Sequence, residues 1–248
     1  MLEEIFGQIS DFIPVIIAGF GLTLGIQHAF EADHIAAVST QITTNTIQSK
    51  KQLVKLGFTK SSLLGAIWGA GHTTTLLLVG LLVYGFTFTL QKEVFSGFEF
   101  IVGLMLILLA ITRITNKSIL KIKHRHPHTH KDGSIHFDEH NHDDKNHSHN
   151  HKSYLIGMIH GLAGSGTLIV MTSGAIHSLT TALMFIGIFG IGSIIGMSLI
   201  GGLIGIPFGL SNNIKAKAIM RYLTGSLSFV LGMTIVYQIG IIENLFGF

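Results

Sequence analysis

Residues 12–38 read FIPVIIAGFGLTLGIQHAFEADHIAAV, and this stretch decides the class of fold. About 20 apolar residues suffice to cross the hydrocarbon core of a bilayer, and the run is longer than that. Yet it carries His28, Glu31, Asp33 and His34, and ionisable groups at membrane depth are expensive unless they serve a site. Imidazole and carboxylate without thiol form a ligand set suited to borderline divalent metals such as nickel, cobalt or zinc, and the chain has no cysteine. The stretch therefore points to a membrane protein that handles a metal ion.

The rest of the chain agrees with a membrane class. Of 248 residues, 48% are hydrophobic and 12% charged, and the mean hydropathy is +0.56, values rare in soluble domains. Six spans are expected, at about 12–38, 62–88, 97–114, 154–176, 179–206 and 218–242. The first and fifth are long enough to bend or break. Cytoplasmic loops collect Lys and Arg, and 15 of the 16 basic residues fall on one side of this division, with Lys92 alone on the other. Both termini are therefore expected outside. The basic residues are sorted by membrane side, so the high pI calls for no nucleic-acid partner.

The two halves resemble each other. Gly25-Ile-Gln-His28 and the ten residues after it align without a gap to Gly157-Met-Ile-His160 and its successors. Trp68-Gly-Ala-Gly-His72 aligns with Phe189-Gly-Ile-Gly-Ser193, and Phe100-Ile-Val-Gly103 with Phe229-Val-Leu-Gly232. All three matches occur in the same order, so spans one to three and four to six read as copies of one unit. Three is odd, so the copies lie in opposite orientation, the plan that places a transporter's substrate at the repeat interface. The expected fold is an all-α membrane protein of six transmembrane helices in two inverted three-helix repeats, 1–114 and 154–248, joined by a cytosolic His-rich segment, 115–153.

On a straight helix turning about 100° per residue, His28, Glu31 and His34 share a face, while Asp33 lies about 140° from His28. If all four serve one ion, the helix must unwind near the motif. An unbroken helix over 12–38 would also run about 40 Å against a core of about 30 Å. Irregular backbone at that depth is tolerated where it lines a cavity, and a permeating ion needs one. His72, in the middle of the second span and preceded by Gly69 and Gly71, is the natural further ligand. The glycines allow another helix to approach closely. The bland alternative is a buried polar cluster that pins helices together.

His28-Ala-Phe-Glu-Ala-Asp-His34-Ile resembles the HxxxxDH signature of the nickel/cobalt transporter family, within the wider NicO superfamily, and Gly71-His72-Thr73 resembles that family's second motif. The resemblance implies that His28, Asp33 and His34 bind the metal and that His72 helps to form the selectivity site. Glu31 stands where the family often has Asp. The chain departs from the longer members in having six expected spans rather than eight. Its second half reads His160-Gly-Leu-Ala-Gly-Ser-Gly166-Thr, without a carboxylate, which resembles the shorter branch of UreH-like membrane proteins. His160 is at most an added ligand, and a packing seam of Gly161, Gly164 and Gly166 is the stronger reading.

Residues 124–151 hold ten of the 15 histidines among Asp, Asn, Lys and Ser. With no apolar period the segment is expected to lack structure without metal, and to act as a buffer, a sensor or a docking arm for a cytosolic metallochaperone. No phosphate-binding GxxxxGK[ST] loop is present, so ATP hydrolysis is not expected. The expected function is a multi-pass plasma-membrane permease for Ni²⁺ or Co²⁺ that needs no cofactor. Ligation requires neutral imidazoles, so binding should weaken below about pH 6. Import is favoured, because an inside-negative potential drives a divalent cation inward. The alternatives are efflux of the same ions, transport of Zn²⁺, and an intramembrane serine hydrolase built on Ser165 with His160 or His177 as base. The last leaves the first-span cluster without a role.

Overall fold

A computed structural model describes residues 16–42, 50–85, 91–116, 125–129, 135–139, 150–173, 178–210 and 213–245. The apolar run that opens the chain is broken. Helix α1, Ile16–His28, gives way at Ala29 to two tight turns, in which the N–H groups of Phe30 and Glu31 donate to the carbonyls of Gln27 and His28 at 2.9 and 3.1 Å. Glu31 then adopts an extended backbone, φ −63° and ψ 147°, and caps a second helix, α2, Ala32–Gln41. The break thus falls inside the acidic motif, where unwinding is expected if all four residues serve one ion.

Five further helices are single long rods or nearly so. Helix α3, Lys50–Gly80, widens into a π turn at Leu81–Gly85. Helix α4 is Lys92–Thr115, α5 is Asn150–Ser173, and α6 is Leu179–Leu210. Helix α7, Ile214–Tyr237, begins where the Asn213 side chain accepts from the Lys215 N–H at 2.9 Å and ends in a π turn at Gln238–Ile242. Among the described residues, four stretches are long and apolar enough to cross a bilayer: Gly57–Gly85, Glu93–Thr115, Leu179–Leu210 and Ile214–Ile242. The expected fifth span, α6, is unbroken, its Pro207 sitting in the last turn where a missing N–H disturbs little that follows.

One difference concerns the His-rich segment, expected to lack secondary structure. Strands β1, Arg125–Thr129, and β2, Ile135–Glu139, pair antiparallel, with His126 opposite Asp138 and His128 opposite His136. Ile135 and Phe137 alternate with His136 and Asp138, a period of two that suits a strand. The low apolar content of the whole segment concealed this short run.

The inside of the bundle is small and polar in places, and its outside is apolar. Trp68, Leu106, Ile186 and Met197 are fully buried, whereas Leu63, Leu223, Val230 and Ile241 stand exposed, as a lipid-contacting surface requires. Helices come close enough for backbone contact. A Cβ on Gly71 would strike the Tyr154 carbonyl and lie 3.1 Å from Met158 N; one on Gly192 would strike the Leu22 carbonyl and lie 3.1 Å from Ile26 N. Likewise Gly157 abuts the Trp68 carbonyl and His72 N, and Gly25 abuts the Phe189 carbonyl and Ser193 N. Hydroxyls cross the same seams: Thr75 donates to the Met158 carbonyl at 2.9 Å and Ser193 to the Gly25 carbonyl at 3.2 Å. Such small-residue seams are how helices associate where lipid removes the hydrophobic drive.

Candidate metal site

The break in the first span brings three imidazoles to one point. His28 ends α1, His34 lies in the first turn of α2, and His72 sits near the middle of the apolar stretch Gly57–Gly85. Their ring centroids are 4.3 Å apart for His28 and His34, 5.3 Å for His28 and His72, and 5.2 Å for His34 and His72. Each offers a ring nitrogen, and the three nitrogens lie within 4.8 Å of one another. His34 and His72 are 2% and 0% exposed.

Hydrogen bonds orient two of these rings and leave the rest of their nitrogens free. His28 Nδ1 donates to Glu31 Oε1 at 2.8 Å, and His34 Nδ1 to Asp33 Oδ1 at 2.9 Å. An ionised carboxylate only accepts, so both protons belong to Nδ1 and both lone pairs to Nε2. Those two Nε2 atoms are buried without a hydrogen-bond partner, as are both nitrogens of His72. Buried polar atoms are seldom left so. A carboxylate on the far nitrogen of a metal-binding imidazole is the usual way a protein fixes its tautomer, and the donor set suits a borderline divalent cation.

Asp33 and His160 stand beside this point rather than in it. Asp33 Oδ1 also accepts from the His34 backbone N–H at 2.9 Å, while Oδ2 accepts from His160 Nε2 at 2.9 Å. Asp33, His34 and His160 form a second group whose ligand-type atoms lie within 4.8 Å. Glu31 is half in solvent, with 56% of its side chain exposed. Gly161, of the expected packing seam, does pack: its Cβ would lie 2.6 Å from the His72 carbonyl. The side chains around Gly164, Ser165 and Gly166, and His177, lie outside the described residues.

Trp68 is the member that residue chemistry did not single out. It is fully buried, and its ring meets those of His34, His72 and His160 at 5.4, 5.8 and 5.1 Å. Its place four residues before His72 on one helix face was the available signal. Phe189 closes the other side, 5.3 Å from His28.

Residues 15–247 match the family NicO, described as a high-affinity nickel-transport protein. The chain belongs to NicO. It is also 36% identical over 237 residues, 95% of this chain and 96% of the relative, to the urease accessory protein UreH of Bacillus sp. (strain TB-90). No solved structure matches the chain. Membership in NicO, with the apolar helices, makes this a multi-pass plasma-membrane protein that transports a metal ion and is not an enzyme.

Proposed function

We propose that this NicO protein carries Ni²⁺, and Co²⁺ as a second substrate, through a site in which His28, His34 and His72 hold the ion and Asp33 supplies the compensating charge. The observation that carries the reading is the set of buried imidazole nitrogens left without partners at one point. Glu31 orients His28. Trp68 and Phe189 wall the site and keep the rings from drifting apart.

The site is proposed to lie between two inverted three-helix repeats, α1 to α4 and α5 to α7, with both termini outside. The support is a set of exchanged contacts. Aligned residues meet crosswise: Gly25 on Phe189 and Ser193, Gly157 on Trp68 and His72, Gly71 on Tyr154 and Met158, Gly192 on Leu22 and Ile26. Gly103 and Gly232, also aligned, meet each other, their Cβ positions 3.2 and 2.7 Å from the opposite carbonyl. His28 faces Phe189 as His160 faces Trp68. A pseudo-two-fold axis relating the halves would produce this pattern, and the pattern is what supports the repeat reading.

Import follows from energetics, since an inside-negative potential favours two inward-moving charges by about 4.6 kcal/mol per 100 mV. The His-rich segment serves as a cytosolic ion buffer or a dock for a metallochaperone. Metal flux in proteoliposomes tests the reading with wild type, His34→Ala and a deletion of 124–151. Loss of flux in the first variant and its retention in the second place the pathway in the helices; the reverse result defeats the proposal. Zinc in competition with nickel and cobalt separates the substrate alternatives, and flux driven only by an opposing proton gradient would indicate efflux.

A further inference from the structure

Two groups of ligand-type side chains share His34, and they differ in one respect. In the group of His28, His34 and His72 the Nε2 atoms of the first two rings and both nitrogens of the third have no partner. In the group of Asp33, His34 and His160 two pairs of atoms are already joined, Oδ1 to His34 Nδ1 and Oδ2 to His160 Nε2, both at 2.9 Å, and the nitrogens left without a partner are His160 Nδ1 and the shared His34 Nε2. A cation entering the second group would have to displace two charge-assisted hydrogen bonds. One entering the first displaces none.

The partners of Asp33 come from different halves of the chain, since His34 follows it directly and His160 lies on α5, 127 residues away. His160 is 1% exposed, and α5 is seated against the α3 backbone beside it: Gly157 abuts the Trp68 carbonyl, and a Cβ on Gly161 would lie 2.6 Å from the His72 carbonyl. The donor to Asp33 Oδ2 is thus held by packing and not by a mobile side chain. Asp33 itself is part exposed; its Oδ1 is held by the His34 N–H and Nδ1, and its Oδ2 by His160.

Resting on the reading that His28, His34 and His72 hold the ion, we propose that His160 is a positioning residue and not a ligand. By gripping Asp33 it keeps the proton of His34 on Nδ1 and the lone pair on Nε2, so the second half of the chain sets the ion affinity of a site whose ligands all come from the first. Displacement of α5 from α2 during transport would release Asp33, free the His34 ring and weaken the grip on the ion.

Full-length protein in lipid nanodiscs tests this with Ni²⁺ titration calorimetry and nickel X-ray absorption on wild type, His160→Ala and His160→Gln. His160→Ala should weaken Ni²⁺ binding about 10- to 100-fold while leaving the number of imidazoles around nickel as in wild type. His160→Gln, whose amide N–H can donate to Asp33, should recover most of the affinity. One imidazole fewer around the metal in either variant, wild-type affinity in His160→Ala, or no recovery in His160→Gln overturns the proposal. If His160→Ala does not fold, His160→Gln decides alone by its imidazole count and affinity. Nickel without imidazole neighbours in the wild type would defeat the three-histidine site itself, a failure distinct from the others.

Discussion

His72 is fully buried with both ring nitrogens unpartnered, so replacing it removes the proposed ligand atoms without breaking a hydrogen bond. Exchanging an orphaned polar group for an apolar one of similar shape is neutral or stabilising. His72→Leu is therefore expected to unfold no earlier than wild type, yet to lose at least about 100-fold in Ni²⁺ affinity, more than outer partners of a ligand usually cost. Calorimetric titration beside a thermal melt reads both, and a destabilised variant that still binds would make His72 a structural histidine. The two carboxylates should rank unequally. Glu31 is exposed and holds one ring, whereas Asp33 bridges two buried rings, so Glu31→Ala is expected to weaken binding less than Asp33→Ala, and the opposite order would count against the assigned roles. The convergence of His28, His34 and His72 was legible from residue chemistry, since histidines inside an apolar run need a purpose. The side on which Asp33 would spend its oxygens was not, because that depends on a partner 127 residues distant. Trp68 escaped notice because an aromatic residue in an apolar helix is ordinary.

Elements were legible where length and chemistry conflicted. A run of 27 residues, 12–38, longer than an upright crossing needs and with Asp33 out of phase with its neighbours, left a break, a steep tilt or a projecting end, and the turn at Ala29 to Glu31 is a break. The β1/β2 ribbon was hidden because a few alternating residues carry little weight among so many polar ones. What no periodicity argument could weigh is which glycines matter. Gly157 is wedged on the α3 backbone at Trp68 and His72, while a Cβ on Gly97 of α4 would meet nothing within 4 Å. Gly157→Val must push α5 off α3, and overpacking of this kind costs about 1–3 kcal/mol or more. Gly97→Ala gains the roughly 0.5–1 kcal/mol that alanine offers over glycine in a helix. Thermal melts of the two variants in one lipid should therefore move in opposite directions, and equal shifts would mean that the α3–α5 seam is not as tight as its backbone contacts imply.

Topology and driving force belong to the whole molecule. The sorting of Lys and Arg gives an expected orientation with both termini outside, and the absence of cysteine makes it testable. Single cysteines in place of Glu3 and Lys145 should react differently with an impermeant maleimide on intact cells: the first is labelled at once, the second only after permeabilisation. Labelling of both before permeabilisation would break the six-span plan, and labelling at position 145 alone would invert it. With that orientation, a passive carrier of a divalent ion must follow the membrane potential. The carboxylates of Glu31 and Asp33 stay with the protein, so each passage would move only the two charges of the ion itself across the membrane. Two charges are worth about 4.6 kcal/mol per 100 mV, and about 1.4 kcal/mol is a factor of ten in an equilibrium, so accumulation at equilibrium should rise by roughly three decades per 100 mV, inside negative. Proteoliposomes with a potassium diffusion potential set by valinomycin measure this as nickel uptake against voltage. Uptake that ignores voltage but follows a proton gradient would mean that protons leave His28, His34 or His72 in exchange for each ion, making the transfer nearly neutral and the direction a matter of pH rather than potential.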